Sequence, residues 1–308
     1  MPTQSTDVAI RCPRRYRFKH METQPNDKHG NGQLFIVATP IGNLADITYR
    51  AIEILKSVDL IAAEDTRVSR RLCEHYGITT PLMACHEHNE EKKAVQFLEA
   101  IRSGQNIALI SDAGTPLIND PGYRLVSQLR KSGIRVTPIP GACSPIAALC
   151  ASGLPTDSFT YDGFLARSGK ARRKQIEAIA RSPCTHILLE SPHRLIKTLD
   201  DLRQACGDDR QACMAREITK LHETFVCGSL SEVHDTMRQE NIRGEIVLLV
   251  GPETEKREIS DDDIFKAANR ASNKGLSPSA LARSIAQQLE ISRSRVYALL
   301  LDADRQQK

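Results

Sequence analysis

From Gln33 onward, the chain alternates short apolar segments with amphipathic ones, and this alternation constrains the fold more than any other feature. The apolar segments predict strands at Leu34–Thr39, Asp59–Glu64, Pro81–Cys85, Ile107–Ile110 and Ile134–Ile139. The segments between them have helical periodicity or helix-capping residues. Five strands interleaved with helices in about 120 residues indicate a parallel sheet covered on both faces.

A second unit of the same kind is expected after Gly153. Strands are predicted at Phe159–Phe164, Thr185–Glu190, Ala212–Arg216 and Glu245–Val250. The predicted fold class is therefore α/β, with two α/β domains and a small C-terminal helical appendage. The expected bounds are 1–32 for a disordered extension, 33–152 and 153–252 for the two domains, and 260–308 for the appendage. The appendage has a helix-turn-helix outline, and it could equally bind nucleic acid or pack on the body.

Composition narrows the function classes. The sequence contains no apolar run near the roughly 18 residues of a membrane span. Its nine cysteines form no C-x-x-C pair, which favours reduced thiols and a cytoplasmic location. The net charge of +4 is concentrated in Met1–His20, which contains five lysine and arginine residues and a single acidic residue, Asp7. The start of the chain could be Met1 or Met21.

The segment Cys85-His86-Glu87-His88 is dense in metal-ligand residue types. No second cluster in the sequence has the spacing of a zinc site, so no metal is expected.

Three predicted strands end in loops of glycine, proline and small residues. These loops are Pro40–Leu44, Ser111–Pro116 and Pro140–Pro145. Adjacent parallel strands would place the loops side by side, as the floor of a site for a ligand with a carboxylate, a ribose and an adenine. The sequence contains neither a P-loop nor a G-x-G-x-x-G motif after the first strand, which disfavours P-loop NTPases and dinucleotide-binding folds. After the first of these loops, Asp46 is expected to begin the first helix, and after the second loop, Asn119 or Asp120 is expected to cap the fourth helix.

Eight segments in this order resemble the small-subunit ribosomal RNA methyltransferases of the tetrapyrrole methylase superfamily. They read VATPIGNLADIT, LIAAEDTR, HEHNE, ALISDAGTPLINDPG, PIPGACS, ESPHRL, AREITKLHE and GEIVLLV. The resemblance spans residues 33–250 and implies a homodimer that binds S-adenosylmethionine in a cleft between its two domains. It also implies methyl transfer to the ribose 2′-hydroxyl of a cytidine in the decoding centre of 16S rRNA. The long N-terminal extension and the pair Cys143-Ser144 depart from the family pattern.

The resemblance also implies a set of cofactor-binding residues. Pro40, Gly42, Asp112, Ala113 and Gly114 are expected to hold the methionine and ribose parts. The adenosine is expected to be enclosed by Cys143, Ser144, Phe164, Leu165, Gly244 and Glu245.

Methyl transfer to a hydroxyl requires a group that accepts its proton, because a protonated ribose hydroxyl is a poor nucleophile. The candidate catalytic residues are Glu64 and Asp65 at the end of the second strand, and Lys220 and Glu223 in AREITKLHE. Arg67 could bind a phosphate or pair with one of these carboxylates. For each of them, an ion pair that holds a loop is the alternative.

RNA binding is expected at the cations Arg167, Lys170, Arg172, Arg173 and Lys174, which could neutralise backbone phosphates. A solvated helix face is the alternative. Two other functions also remain open at this point. One is methylation of a small tetrapyrrole, against which the TPIGN loop and the basic segment argue. The other is non-catalytic binding of nucleic acid.

Overall fold

The computed structural model describes residues 32–86, 89–253, 261, 264–265, 267–268, 278–289 and 292–306. Apart from Gly32, the predicted N-terminal extension lies outside the described residues, and so do Glu87 and His88. The described chain forms two compact units that divide between Cys143 and Ser144. The domain bounds expected from the sequence, with a division at residue 152, stay a prediction.

The first unit contains the parallel sheet that the sequence predicts. Its strands are β1 Leu34–Val37, β2 Leu60–Ala63, β3 Leu82–Ala84, β4 Ile107–Ile110 and β5 Val136–Ile139. They pair in the order β3-β2-β4-β1-β5, and every pairing is parallel. The helices of this unit are α1 Tyr49–Ser57, α2 Thr66–Tyr76, α3 Glu90–Arg102 and α4 Tyr123–Lys131.

Both faces of the first sheet are covered, because successive strand residues point to opposite faces. Phe35 packs with Ile54 on the face that also carries α2. Leu34 packs with Phe97 of α3 and Leu125 of α4 on the other face.

Two helix starts differ from the sequence expectation. Asp46 ends a short 3-10 helix, Leu44–Asp46, and α1 begins only after Thr48, whose side chain accepts a hydrogen bond from Ala51 N–H. Likewise, α4 begins after Gly122 rather than after Asn119 or Asp120. In each case a few more residues belong to the loop than the capping pattern indicated, so the loops at this edge of the sheet are longer.

The second unit contains a mixed sheet. Its strands are β6 Phe159–Phe164, β7 Thr185–Glu190, β8 Gln211–Arg216, β9 Thr224–Ser229 and β10 Ile246–Val250, in the order β6-β7-β10-β8-β9. Only β6 and β7 pair in parallel among these strands of the described chain. Its helices are α5 Ser144–Ala151, α6 Gly169–Ala180, α7 Pro192–Cys206 and α8 Leu230–Arg238. The buried residues of α6, α7 and α8 form one core with β7, β8 and β10.

Strand β9 is absent from the sequence prediction, and it brings two cysteines together. Cys213 and Cys227 are direct partners across β8 and β9, and the structure joins them in a disulfide. The expectation that the thiols are reduced is wrong for this pair. The two residues are 14 positions apart, and only the hairpin register makes them neighbours.

The predicted helical appendage is present as α9 Pro278–Leu289 and α10 Arg293–Gln306. The two helices pack around Ala282, Ile285 and Val296. In the described part of the chain, no helix is long and apolar enough to span a membrane.

Candidate functional site

The three glycine- and proline-rich loops lie side by side at the carboxyl edge of the first sheet. This follows from the strand order, since β1 pairs with β4 on one side and β5 on the other. Thr39 and Gly114 exchange backbone hydrogen bonds of 2.9 and 3.1 Å, and Thr115 Oγ1 donates to Ala142 O at 2.9 Å. The loops therefore form one connected surface.

Two glycines in these loops allow the backbones to approach this closely. Gly114 has φ +82°, and a Cβ at this position would lie 3.1 Å from Ile41 Cγ2. A Cβ on Gly141 would lie 2.9 Å from the Ala38 Cβ. Backbone groups and short side chains consequently line this edge, and Gly42, Asp112 and Ala113 are exposed on it.

Carboxyl groups from β2 and β4 gather at the same edge. Burial raises the pKa of Glu64, and the nearby charges of Asp120 and Asp112 raise it further. Burial also raises the pKa of Asp120, against the effect of its hydrogen bond with Ser111. Asp112 accepts a hydrogen bond from Asp65 N–H through its Oδ1, at 3.0 Å. The edge thus combines backbone donors with carboxyl groups that lie close to one another.

Asp65 has a different environment from Glu64. It caps α2 by accepting from Arg67 N–H at 2.8 Å, and its Oδ2 lies 2.6 Å from Arg67 Nη2. These hydrogen bonds with Arg67 lower the pKa of Asp65 to about 2. The Arg67 side chain is 89% exposed. Asp65 therefore remains ionised at neutral pH and is a weak proton acceptor.

In the second unit, Lys220 and Glu217 connect the β8–β9 loop to the start of β10. Lys220 Nζ lies 2.9 Å from Glu217 Oε1 and 3.1 Å from Glu245 Oε2. Glu217 Oε1 also accepts from Glu245 N–H at 2.9 Å. Gly244 has φ +89°, which favours glycine, and a Cβ there would lie 2.3 Å from this same Oε1 and displace the Glu217 carboxylate. These contacts hold Gly244 and Glu245 against the loop.

The charges of this loop are fixed by its hydrogen bonds. Burial acts to lower the pKa of Lys220, but the hydrogen bonds to Glu217 and Glu245 outweigh it and raise the pKa. Lys220 therefore carries a positive charge at neutral pH. Glu223 accepts from Thr219 N–H at 2.6 Å, so its carboxylate holds the loop.

Backbone strain marks the same regions. Among the described residues other than glycine, positive φ values occur at Leu117 and Asn119 in the loop after β4, and at Glu217 and Thr219 in the loop after β8. Such conformations cost on the order of 1–3 kcal/mol each and are typical of functional sites.

The remaining predicted cofactor residues lie at element ends. Pro40 follows β1, Cys143 is half-buried in the loop after β5, and Ser144 begins α5. At the end of β6, Phe164 is 47% exposed and Leu165 is buried.

The predicted RNA-binding cations separate into two groups. Arg167, Lys170, Arg173 and Lys174 are exposed in or beside α6. Arg172, in contrast, is only 5% exposed, and it lies 2.8 Å from Asp201. The prediction for Arg172 is therefore corrected: its guanidinium faces the protein interior because position 172 lies on the core face of the helix.

Sequence reasoning misses two residues of these regions. Glu217 lies in the segment AREITKLHE, but its link to Glu245 depends on the antiparallel pairing of β8 with β10. Asp120 is predicted only as a helix cap, whereas its half-buried carboxyl lies near Glu64. Among the described residues, no group of three or more histidine, cysteine or acidic side chains could hold a metal ion.

A family model described as Tetrapyrrole (Corrin/Porphyrin) Methylases matches residues 33–234. The match includes the whole first sheet and strands β6 to β9. Two solved structures share the fold at 20% identity. Uroporphyrin-III C-methyl transferase from Thermus thermophilus, complexed with S-adenyl homocysteine, has a TM-score of 0.51 and covers 71% of this chain and 97% of its own. Cobalt precorrin-4 methyltransferase has a TM-score of 0.54 and covers 74% of this chain and 97% of its own. The fold is that of a tetrapyrrole methylase.

Relatives of higher identity are named ribosomal RNA small subunit methyltransferase I. The relative from Pseudomonas aeruginosa is 51% identical over 71% of this chain and 78% of its own length. The relative from Escherichia coli O157:H7 is 50% identical over 75% of this chain and 81% of its own length. The relative from Synechocystis is 42% identical over 89% of this chain and 99% of its own length. The chain therefore belongs to the tetrapyrrole methylase family, within the group of ribosomal RNA small subunit methyltransferase I, and it is a methyltransferase.

Proposed function

We propose that this chain transfers a methyl group from S-adenosylmethionine to the ribose 2′-hydroxyl of a cytidine in 16S ribosomal RNA. The observation that carries the proposal is the connected edge of backbone-lined loops on the first sheet. It occurs in a chain that is about half identical to proteins named for methylation of small-subunit rRNA.

The residues at this edge fit S-adenosylmethionine. Gly114 and Gly141 keep the floor free of side chains, so that a ligand can reach backbone groups. The carboxylate of Asp112 suits the ribose hydroxyls or the ammonium group of such a ligand. The proposed binding residues are Pro40, Gly42, Asp112, Ala113 and Gly114 for the methionine and ribose parts, and Cys143, Ser144, Phe164, Leu165, Gly244 and Glu245 for the adenosine.

When bound, S-adenosylmethionine supplies a methyl group that its sulfonium makes electrophilic, so the protein mainly has to align the reactants. Of the candidate acids, Glu64 is best suited to accept the hydroxyl proton. Its raised pKa makes it a stronger base than Asp65, whose pKa is about 2. Asp65 and Arg67 instead cap α2 and fix the start of that helix.

Lys220 is proposed to act as a fixed positive charge rather than as a base, because its pKa is raised. Its ammonium group can attract an RNA phosphate and also orients Glu245. Glu223 then supports Lys220 indirectly, since it holds the loop through Thr219 N–H.

The proposed acceptor is the small ribosomal subunit or its 16S rRNA. The exposed cations Arg167, Lys170, Arg173 and Lys174 support this, because they form a run that can neutralise successive phosphates. Aromatic residues make up 4% of the chain, which favours recognition by shape and phosphate over base stacking.

The proposal includes a homodimer in the cytoplasm. Light scattering should then give twice the 34.2 kDa mass of the chain.

The proposal is tested by offering two acceptors in parallel with radiolabelled S-adenosylmethionine. One acceptor is the small subunit purified from cells that lack this protein, and the other is uroporphyrinogen III. The expected result is label in the RNA and none in the tetrapyrrole. Label in the tetrapyrrole alone would overturn the proposed acceptor while keeping the methyltransferase chemistry.

A further inference from the structure

The turn that follows β6 is held by side chains from two helices. Arg194 Nη2 donates to Leu165 O at 2.7 Å, and Arg172 Nη1 donates to Ala166 O at 3.2 Å. Gln175 Oε1 accepts from Ala166 N–H at 2.9 Å. Helices α6 and α7 thus bind three backbone groups of a two-residue segment, which we call the β6 turn, Leu165–Ala166.

The two arginines are themselves fixed by a connected polar network. Arg172 Nε donates to Asp201 Oδ2 at 2.8 Å, and its Nη2 donates to Thr198 Oγ1 at 3.0 Å. Thr198 in turn donates to Glu190 Oε2 at 2.6 Å, and the other oxygen of Glu190 lies 3.4 Å from Arg194 Nε. Arg172, Thr198 and Glu190 are all buried. The network therefore determines the direction of both guanidinium groups.

A buried network of charged side chains contributes little net stability to a fold. Removing two charges from water is costly, and well-packed apolar side chains often stabilise a core equally well. The planar guanidinium offers something that apolar side chains cannot, namely several donors in a rigid geometry. Here that geometry is directed at backbone carbonyls of one short turn. The network is thus better suited to fixing a conformation than to adding stability.

We propose that Arg172, Arg194 and Gln175 are positioning residues that fix the β6 turn for binding of the adenosine part of S-adenosylmethionine. This inference rests on the proposed function, in which Phe164 and Leu165 enclose the adenosine. A turn that is already ordered before binding loses less conformational entropy when the ligand arrives, so its affinity is higher. Two residues of this network, Glu190 and Arg194, lie in the segment ESPHRL.

The Gln175 pair of variants tests the inference without leaving a buried charge unpaired. Gln175→Leu removes the acceptor of Ala166 N–H, whereas Gln175→Glu retains an acceptor. In Gln175→Leu, we expect the Kd and KM for S-adenosylmethionine to rise about tenfold, with kcat at saturating cofactor nearly unchanged. Gln175→Glu should restore the Kd. Amide exchange at Ala166, measured in the protein without cofactor, should be faster in Gln175→Leu only.

Arg194→Lys is the second test, because it keeps the charge near Glu190 but loses the forked donor geometry. It should raise the Kd by a similar factor. Arg203→Gln is the matched control on α7, since Arg203 pairs with Asp208 near the surface, at 2.7 Å. Its Kd should equal that of the wild type.

Binding by the wild type tests the proposed function, and binding by the variants tests the role of the positioning residues. If the wild type does not bind S-adenosylmethionine, the proposed function is overturned, and the inference falls with it. If the wild type binds, and both Gln175→Leu and Arg194→Lys bind equally well, the residues only stabilise the fold and the inference alone is overturned. Calorimetric titration of the full-length protein measures all of these affinities.

Discussion

Glu64 and Asp65 are neighbours in the chain, but their surroundings give their carboxyl groups opposite properties. Asp65 is hydrogen-bonded to Arg67, which lowers its pKa, whereas Glu64 is partly buried near other carboxyl groups, which raises its pKa. The sequence pattern places both at the end of β2 but does not distinguish them, because Asp112 and Asp120 come near only through the pairing of β2 with β4.

Glu64→Gln should therefore lose activity and gain stability. The charged form of Glu64 is disfavoured in the folded state, so the wild type is destabilised at pH values above its raised pKa. The substitution removes this destabilisation and should raise Tm by on the order of 2 °C at pH 7.5. The gain should vanish below the ordinary pKa of a glutamate, where both folded and unfolded states are protonated. Methyl transfer should fall about 100-fold. A variant with wild-type kcat would remove Glu64 from the chemistry.

Lys220→Ala tests the fixed positive charge of the β8–β9 loop. We expect methyl transfer to be abolished, because the substitution removes the charge that we propose attracts an RNA phosphate. Binding of S-adenosylmethionine should stay largely intact, because Glu217 still holds the Glu245 backbone through two hydrogen bonds; calorimetry measures this affinity. Lys56→Ala, an exposed lysine of α1, is the control. Turnover retained by Lys220→Ala would exclude Lys220 from the site.

Gly114 and Gly133 form a matched pair for testing the loop surface. Both have positive φ, +82° and +77°, so alanine should cost either position about 1 kcal/mol or more of stability. Only at Gly114 would the new Cβ press on Ile41, whereas nothing lies within 4 Å at Gly133. Gly114→Ala should therefore weaken S-adenosylmethionine binding, and Gly133→Ala should not. Equal affinities in calorimetry would show that the loops do not bind the cofactor.

At the scale of elements, the sequence predicts the first sheet better than the second. Strands β1 to β5 alternate regularly with helices, so their parallel pairing follows from connectivity. In the second unit, β9 escapes prediction because TFVCGS alternates only weakly between apolar and polar residues. The hairpin of β8 and β9, its disulfide and the contact between Glu217 and Glu245 escape prediction for the same reason.

Helix α6 carries basic residues on both its buried and its exposed face. Its inward face carries Arg172, and its outward face carries Lys170 and Arg173. Replacing these two exposed cations with glutamine should reduce the slope of log affinity against log salt by about 1 for each phosphate that the protein no longer neutralises. Lys131→Gln in α4 is the control. Filter binding to 16S rRNA at several salt concentrations measures the slope, and an unchanged slope would place the RNA elsewhere.

At the scale of the whole molecule, net charge says little about RNA. The excess of +4 arises in the first 20 residues, and the rest of the chain is neutral. Any affinity for RNA must then come from local groups of cations such as those of α6. The relative from Synechocystis aligns over 89% of the chain, so the similarity is not confined to one of the two units.

The proposed reaction transfers the methyl group to a ribose oxygen of one cytidine. Small subunits from cells lacking the protein should be incubated with the purified protein and labelled S-adenosylmethionine, and their 16S rRNA digested to nucleosides for chromatography with mass detection. We predict that all label is in 2′-O-methylcytidine and that nuclease mapping assigns it to a single position. Label in a base-methylated nucleoside, or at many positions, would contradict it.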